Sequence, residues 1–268
     1  MVRFNDDRYY LSSGMYTQNT TTFGTNVIIN GTDRTPGAGR AHILVYDGNG
    51  TRIADSTLSP LGSIQYHPGG IDFDGTHIYV TIAQYRPNST ATLVRIDPMT
   101  LQGETLFDIK DHEGGVVHDT DTGNFVLLNW GARNASMYNI KNTDNPCNSS
   151  VTHIRTVANP SFYVDYQDCK FLGHPAHYDH RAVMMCSGVT SLTGFNLDLG
   201  GIALVDIETM VPLHEVPILM YSDMGTAFSQ NSFDVDIVND RLRLYGAPDQ
   251  HNSTLYVIEA NPISPREF

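Results

Sequence analysis

The sequence predicts an all-β protein folded as a five-bladed β-propeller. Three observations predict it. Helical periodicity is nearly absent, one strand motif recurs five times, and most copies follow a hairpin whose turn carries Gly, Asp or Asn. The recurring strand reads His42-Ile43-Leu44-Val45-Tyr46-Asp47, then Leu93-Val94-Arg95-Ile96-Asp97 and Met137-Tyr138-Asn139-Ile140-Lys141. It returns as Ala203-Leu204-Val205-Asp206 and Leu255-Tyr256-Val257-Ile258-Glu259. Anchored on residues 47, 97, 141, 206 and 259, the copies lie 50, 44, 65 and 53 residues apart. A four-stranded blade needs about 40–50 residues. The tail repeats as well, Asp97-Pro98-Met99-Thr100-Leu101 resembling Asp206-Ile207-Glu208-Thr209-Met210.

Ahead of each copy, paired strands meet at turns that tolerate positive φ: Asp74-Gly75, Thr122-Gly123 and Asn239-Asp240. A further pair joins Tyr166–Leu172 to Ala182–Cys186. A sandwich has no reason to repeat one four-strand unit, whereas radial repetition buries both faces of every sheet. The expectation is a single domain over 1–268, with blades at 1–60, 61–110, 111–158, 159–220 and 221–268. The first blade is expected to have an innermost strand that is either incomplete or closed by chain lost before Met1.

Charge narrows the partners. The net charge is −13, with three lysines in 268 residues. Such a surface repels phosphate backbones and anionic membranes, so no nucleic-acid partner is expected. No apolar run approaches the ~20 residues of a membrane span, so no membrane insertion is expected. Seven Asn-x-Ser/Thr sequons, at Asn19, Asn30, Asn49, Asn88, Asn134, Asn148 and Asn252, point to a secreted or secretory-lumen glycoprotein. The chain opens on strand-like Met1–Phe4, consistent with a leader already removed. Three cysteines cannot all pair within one chain. Cys169 and Cys186 fall in neighbouring strands, either bridged or as two buried thiols.

In a propeller, the start of each inner strand and the end of the next strand line one mouth of the central channel. Those positions gather Tyr66, His67, Gln84, Tyr85 and Arg86, then His112, Glu113, Trp130 and Arg133. Later blades add Gln167, Asp168, Asn231, Phe233 and Asp249. This set holds the sole tryptophan and two paired glycines, Gly69-Gly70 and Gly114-Gly115, which allow close approach of a ligand or of the channel axis. Tyr66, Gln84, Tyr85, Trp130, Arg133, Asp168, Asn231 and Phe233 are the expected substrate contacts. His174, His177 and His180 sit in a distant turn with no further ligand in view, so neither a metal nor another cofactor is expected. No Gly-x-Ser-x-Gly elbow exists. Glu113, Asp168 and Asp249 leave a glycosidase open.

The motifs His67-Pro68-Gly69-Gly70-Ile71-Asp72, Tyr85-Arg86-Pro87-Asn88-Ser89 and Gly114-Gly115-Val116-Val117-His118-Asp119 resemble a family of largely uncharacterised bacterial and fungal propeller proteins. So do Tyr163-Val164-Asp165-Tyr166-Gln167-Asp168-Cys169 and Gly200-Gly201-Ile202-Ala203-Leu204-Val205-Asp206. The resemblance extends to fungal hetero-Diels–Alderases of tropolone sesquiterpenoid biosynthesis. It implies a cofactor-free pericyclase that dehydrates a hydroxymethyl tropolone to a quinone methide and steers its cycloaddition onto a humulene-type alkene. Its partners would be small polyketide and terpenoid substrates. For that chemistry His67 or His112 is the expected acid, and Arg86, Arg133 or Gln167 the donor to the developing oxyanion. The other two readings are a secreted hydrolase or lyase on sugars or lactones, using Glu113 or Asp168, and a binding propeller without catalysis.

Overall fold

A computed structural model describes residues 1–4, 8–16 (backbone only at 13–16), 39–60, 62–141, 150–249 and 253–260. The first sheet contains β1 (Val2–Phe4), β2 (Arg8–Tyr16), β3 (Gly39–Asp47) and β4 (Arg52–Thr57). The second contains β5 (His67–Phe73), β6 (Ile78–Ala83), β7 (Ala91–Ile96) and β8 (Gly103–Ile109). The third contains β9 (Glu113–Asp119), β10 (Asn124–Asn129), β11 (Asn134–Lys141) and β12 (Ser150–Ala158). The fourth contains β13 (Asp165–Gly173), β14 (Val183–Leu192), β15 (Leu197–Asp206) and β16 (Pro212–Ile218). The fifth contains β17 (Ser232–Val238), β18 (Arg241–Ala247) and β19 (Tyr256–Glu259). Each sheet is an antiparallel meander of consecutive strands, and the five sheets form a five-bladed propeller.

The recurring motif is the third strand of every blade: β3, β7, β11, β15 and β19. Where neighbouring blades cover both of its faces it reads as nearly continuous apolar sequence, whereas in β19 Val257 is 51% exposed. In β7, Ala91, Leu93, Val94 and Ile96 are all buried. The matching tails are one turn used twice. Asp97 Oδ1 accepts the amides of Met99 and Thr100, and Asp206 Oδ1 those of Glu208 and Thr209. Leu101 and Met210 both take φ of 58° to close it. Asn239 and Asp240, at φ 52° and 60°, form the two-residue turn of β17–β18, the conformation that matches strand twist.

Apolar cores fill the wedges between blades. Tyr10, Ile43 and Ile71 sit between the first two, Leu93 and Phe125 between the next two, Val164 and Met184 between the third and fourth. Phe228, Phe233 and Met185 join the last two. The ring closes where Met1, Tyr9 and Tyr245 pack together. That smallest core is reinforced by Arg3, which donates to Tyr245 Oη at 2.5 Å and to Asp236 Oδ2 at 2.7 Å. Cys169 and Cys186, directly opposite on β13 and β14, are bridged by a disulfide, which settles the alternative left open by the spacing.

The innermost strands β1, β5, β9, β13 and β17 surround the axis, and buried charge ties them together. Asp168 Oδ2 accepts the Phe233 amide at 3.1 Å and lies 2.6 Å from the Met1 nitrogen. Asp168 Oδ1 accepts from Lys170 Nζ at 2.6 Å, and Lys170 also donates to the Ile71 carbonyl. Asp72 Oδ2 accepts the His118 amide at 2.8 Å, and Asp234 Oδ2 the Arg3 amide at 2.7 Å. Burial works to lower the Lys170 ammonium, but Asp168, Asp234 and Asp72 outweigh it and hold it charged. Paired glycines let the strands come this close. A Cβ on Gly69 would collide with the Gly114 carbonyl oxygen, and one on Gly70 would meet Asp168 Oδ1 at 2.8 Å. Here the Gly-Gly pair admits the axis.

Removing one member of the buried Asp168–Lys170 pair leaves an uncompensated buried charge. Lys170→Met should therefore cost about 3–5 kcal/mol in chemical denaturation. A loss below about 1 kcal/mol would mean that the axial network does not hold the blades.

Candidate functional site

Four rings meet where the second and third blades open at the start of their inner strands. His67 begins β5, Tyr85 follows β6, His112 precedes β9, and Trp130 follows β10 in a short 3-10 turn made possible by Gly131 at φ 64°. The His67 ring lies 4.3 Å from Tyr85 and 6.2 Å from His112, nearly parallel to the latter. Trp130 lies 4.8 Å from His112, edge-on, and 5.5 Å from Tyr85. The outcome is a small aromatic box containing two imidazoles.

Both imidazoles are neutral at neutral pH. Burial pushes His67 down to about 3, with the neighbouring His112 adding to the effect. Burial also lowers His112, opposed by its bond to Gln84 and by Asp111. His112 Nδ1 lies 2.7 Å from the Gln84 carbonyl oxygen. A carbonyl only accepts, so Nδ1 carries the proton and Nε2 keeps its lone pair. Gly114 makes room for that nitrogen: a Cβ there would stand 3.1 Å from Nε2. Gln84 is itself held by Thr90, through Nε2 to Oγ1 at 2.8 Å. Glu113, the next residue, is buried with Oε2 lacking a hydrogen-bond partner among the described residues. Burial, then Asp111, raises its carboxyl well above the usual range.

The remaining expected residues lie elsewhere or are otherwise engaged. Arg86 is exposed beside the box. Gln167 is exposed at the start of β13, donating to the Asp165 carbonyl at 3.4 Å. Arg133 donates to the carbonyls of Gly131 and Ser161, pairs with Asp165 at 3.0 Å and covers the Phe162 ring. Asp168 belongs to the axis. Tyr66 is 1% exposed and Phe233 0%, so both rings are core. Asn231, at φ 67°, donates to the Pro248 carbonyl and shapes its own loop. Asp249 accepts from Ser222 at 2.6 Å. Of the sequons, Asn49 and Asn88 are exposed in turns and Asn134 is half-buried at the start of β11; Asn19, Asn30, Asn148 and Asn252 lie outside the described residues.

At the opposite mouth the structure gathers groups that sequence reasoning missed. Asp72, Lys170, Asp234 and Asp236, with Arg3, line a cavity of about 270 Å³. Their signal was charge at alternate positions inside otherwise apolar inner strands, as in Asp234-Val235-Asp236. Towards the rim, His174 comes within 3.3 Å of Asp121 and 4.0 Å of Asp119, companions that sequence distance hides. Asp119 is already held there, closing its turn by accepting from Asp121 and Thr122.

Residues 9–263 match the model of a family described as a family of unknown function (DUF6454), and the chain belongs to that family. No curated protein matches it. Among solved structures it is similar to the glutaminyl cyclase of Myxococcus xanthus, at 10% identity and a TM-score of 0.46, over 82% of this chain and 88% of that one. It is similar to TolB of Acinetobacter baumannii at 11% and 0.41, over 95% and 64%. A GH43 glycoside hydrolase with an engineered active site follows at 6% and 0.45, over 74% and 43%. This chain spans about half the length of that hydrolase chain and of the matched chain in the nidogen/laminin complex, at 43% and 54%. At these identities the likeness concerns the fold alone.

The box makes a direct prediction. In an NMR titration the His67 ring signals should stay flat between about pH 8 and 5. A midpoint near the ordinary 6.5 would show that burial does not hold the ring neutral.

Proposed function

We propose that this member of a family of unknown function is a cofactor-free cyclase, and that the box of His67, Tyr85, His112 and Trp130 is where it acts. The substrate is a flat, oxygenated ring of the hydroxymethyl tropolone kind, and its product diene is held for cycloaddition to an apolar alkene. The observation that carries the reading is the fixed tautomer of His112. Its Nδ1 proton is committed to the Gln84 carbonyl at 2.7 Å, so its Nε2 is a base between aromatic walls.

The chemistry follows from that proton state. A neutral imidazole takes the ring hydroxyl proton, electrons move through the ring, and the hydroxymethyl C–O bond breaks. The departing hydroxide takes up the proton and leaves as water, so the substrate loses one water and the imidazole is restored. His67, with its conjugate acid near pKa 3, cannot supply the first proton at neutral pH and serves as a hydrogen-bonding partner. Sequence reasoning expected an acid at these histidines; burial favours a base that becomes the acid only after accepting a proton. Tyr85 and Trp130 offer stacking faces, and holding two reactants in register removes much of the entropic barrier to cycloaddition. Exposed Arg86 is the donor available to oxygen at the rim. The buried disulfide and the exposed sequons Asn49 and Asn88 support a secretory location.

Trp130 is the sole tryptophan, so ligand entry has an intrinsic probe. A hydroxymethyl tropolone should quench its fluorescence saturably. With a humulene-type alkene added, mass spectrometry should find an adduct equal to both reactants minus water. His112→Ala should lower turnover by about 10²–10⁴-fold while quenching persists. Full activity in both His67→Ala and His112→Ala sinks the acid–base reading. Quenching without product makes the box a binding site, and sugar or lactone turnover lost in Glu113→Gln makes the protein a hydrolase or lyase.

A further inference from the structure

The cavity at the other mouth lies at the far end of β5 from His67. Asp72 and Phe73 line it, and five to six residues of extended strand separate the two sites by roughly 15–20 Å. The buried Asp168–Lys170 pair stands on the axis between them, at 2% and 5% exposure. The two mouths are therefore separate sites, and a ligand in the cavity is held independently of the box.

The hydrogen bonds around the cavity decide which ligand it accepts. Its cations are already engaged. Arg3 donates to Tyr245 and Asp236, and Lys170 to the Ile71 carbonyl and Asp168. Its carboxylates retain capacity. Asp72 takes one backbone N–H on each oxygen, from Phe73 at 2.9 Å and His118 at 2.8 Å. Asp234 takes two backbone amides, those of Arg3 and Val235. A carboxylate offers about four lone-pair sites, so both groups retain room to accept. A site with acceptors in excess calls for a donor. Burial raises both carboxyls, Asp72 to about 6, although Lys170 opposes the rise. The walls beside these acids are Phe73, Phe171 and Leu172, apolar faces that suit a hydrocarbon rather than a hydrated metal ion. A net charge of −13 draws cations to the molecule.

We propose that this mouth binds a small organic ammonium ion, its nitrogen seated between the Asp72 and Asp234 carboxylates and its hydrocarbon part against Phe73, Phe171 and Leu172. The volume of about 270 Å³ suits a ligand the size of one ring with a short arm.

Three probes of one shape test it by calorimetry on the whole protein: benzylammonium, benzyl alcohol and benzoate. Benzylammonium should bind saturably and raise the melting temperature, while the neutral and anionic probes should do neither. Asp234 also holds Arg3, so the deciding variant is at the rim. Leu172 is 38% exposed, and Leu172→Lys should weaken benzylammonium about tenfold without unfolding the protein. Benzoate or benzyl alcohol binding as well as the amine, no saturable binding of the amine, or an affinity unchanged in Leu172→Lys would each overturn the proposal. Loss of amine binding in His67→Ala would place the ligand in the box and overturn it equally.

Discussion

One buried carboxylate, Asp168, carries the geometry on which the rest depends. Every blade contributes an inner strand whose axial edge has no sheet partner, and those backbone amides must be satisfied away from water. Asp168 reaches the Phe233 amide of the fifth blade and the Met1 nitrogen of the first, and holds Lys170, which reaches the Ile71 carbonyl of the second. Asp72 does the same for the third blade through His118. Apolar side chains would fill this space without satisfying it. Taking charges out of water is costly, and only a fully bonded arrangement offsets that. Here the bonds are also the joints between blades.

Asp168 faces the axis because of one extra residue. Along β13 the pairing with β14 slips between Tyr166 and Asp168, leaving Gln167 unmatched. Tyr166 points into the core between blades, and after the bulge Cys169 and Phe171 do so instead. Asp168 and Lys170 are thereby turned to the axis; without the slip they would face the apolar wedge. The repeating third strand was legible because it is largely apolar, most fully in β7, where both faces are packed. The turns at Asp74, Asp97 and Asp206 were legible because their chemistry is local. A bulge has no such signature, so Asp168 looked like a pocket residue by position alone. Phe233 looked like a pocket wall for the same reason, since its alternation with Asp234 sets its face and the strand start does not.

The histidine box shows a different gap between sequence and structure. The residues were legible as a set, because inner-strand starts and second-strand ends converge on one mouth in any propeller. Their proton states were not. A sequence gives histidine its ordinary pKa, but burial, the neighbouring ring and one backbone carbonyl decide whether it enters a reaction as acid or base. Gln84 contributes its main-chain oxygen, an atom that residue identity does not encode. Gly114 contributes the lack of a side chain.

The two mouths differ in kind because of what the axis leaves over. At the start of the inner strands the glycine pairs bring backbone so close that side chains are pushed outward between the second and third blades, where aromatic rings form walls and imidazoles lose their charge. Past Asp168 the strands again carry side chains inward, and alternation places Asp72, Lys170, Asp234 and Asp236 on one column. Four axial acids, counting Asp168, must be balanced by fixed positive groups in a chain with only three lysines. Lys170 and Arg3 are both drawn into joints between strands. The acids nearest solvent are left with the least compensation, so the same bonds that close the ring of blades leave one mouth with neutral imidazoles among aromatic rings and the other rich in acceptors.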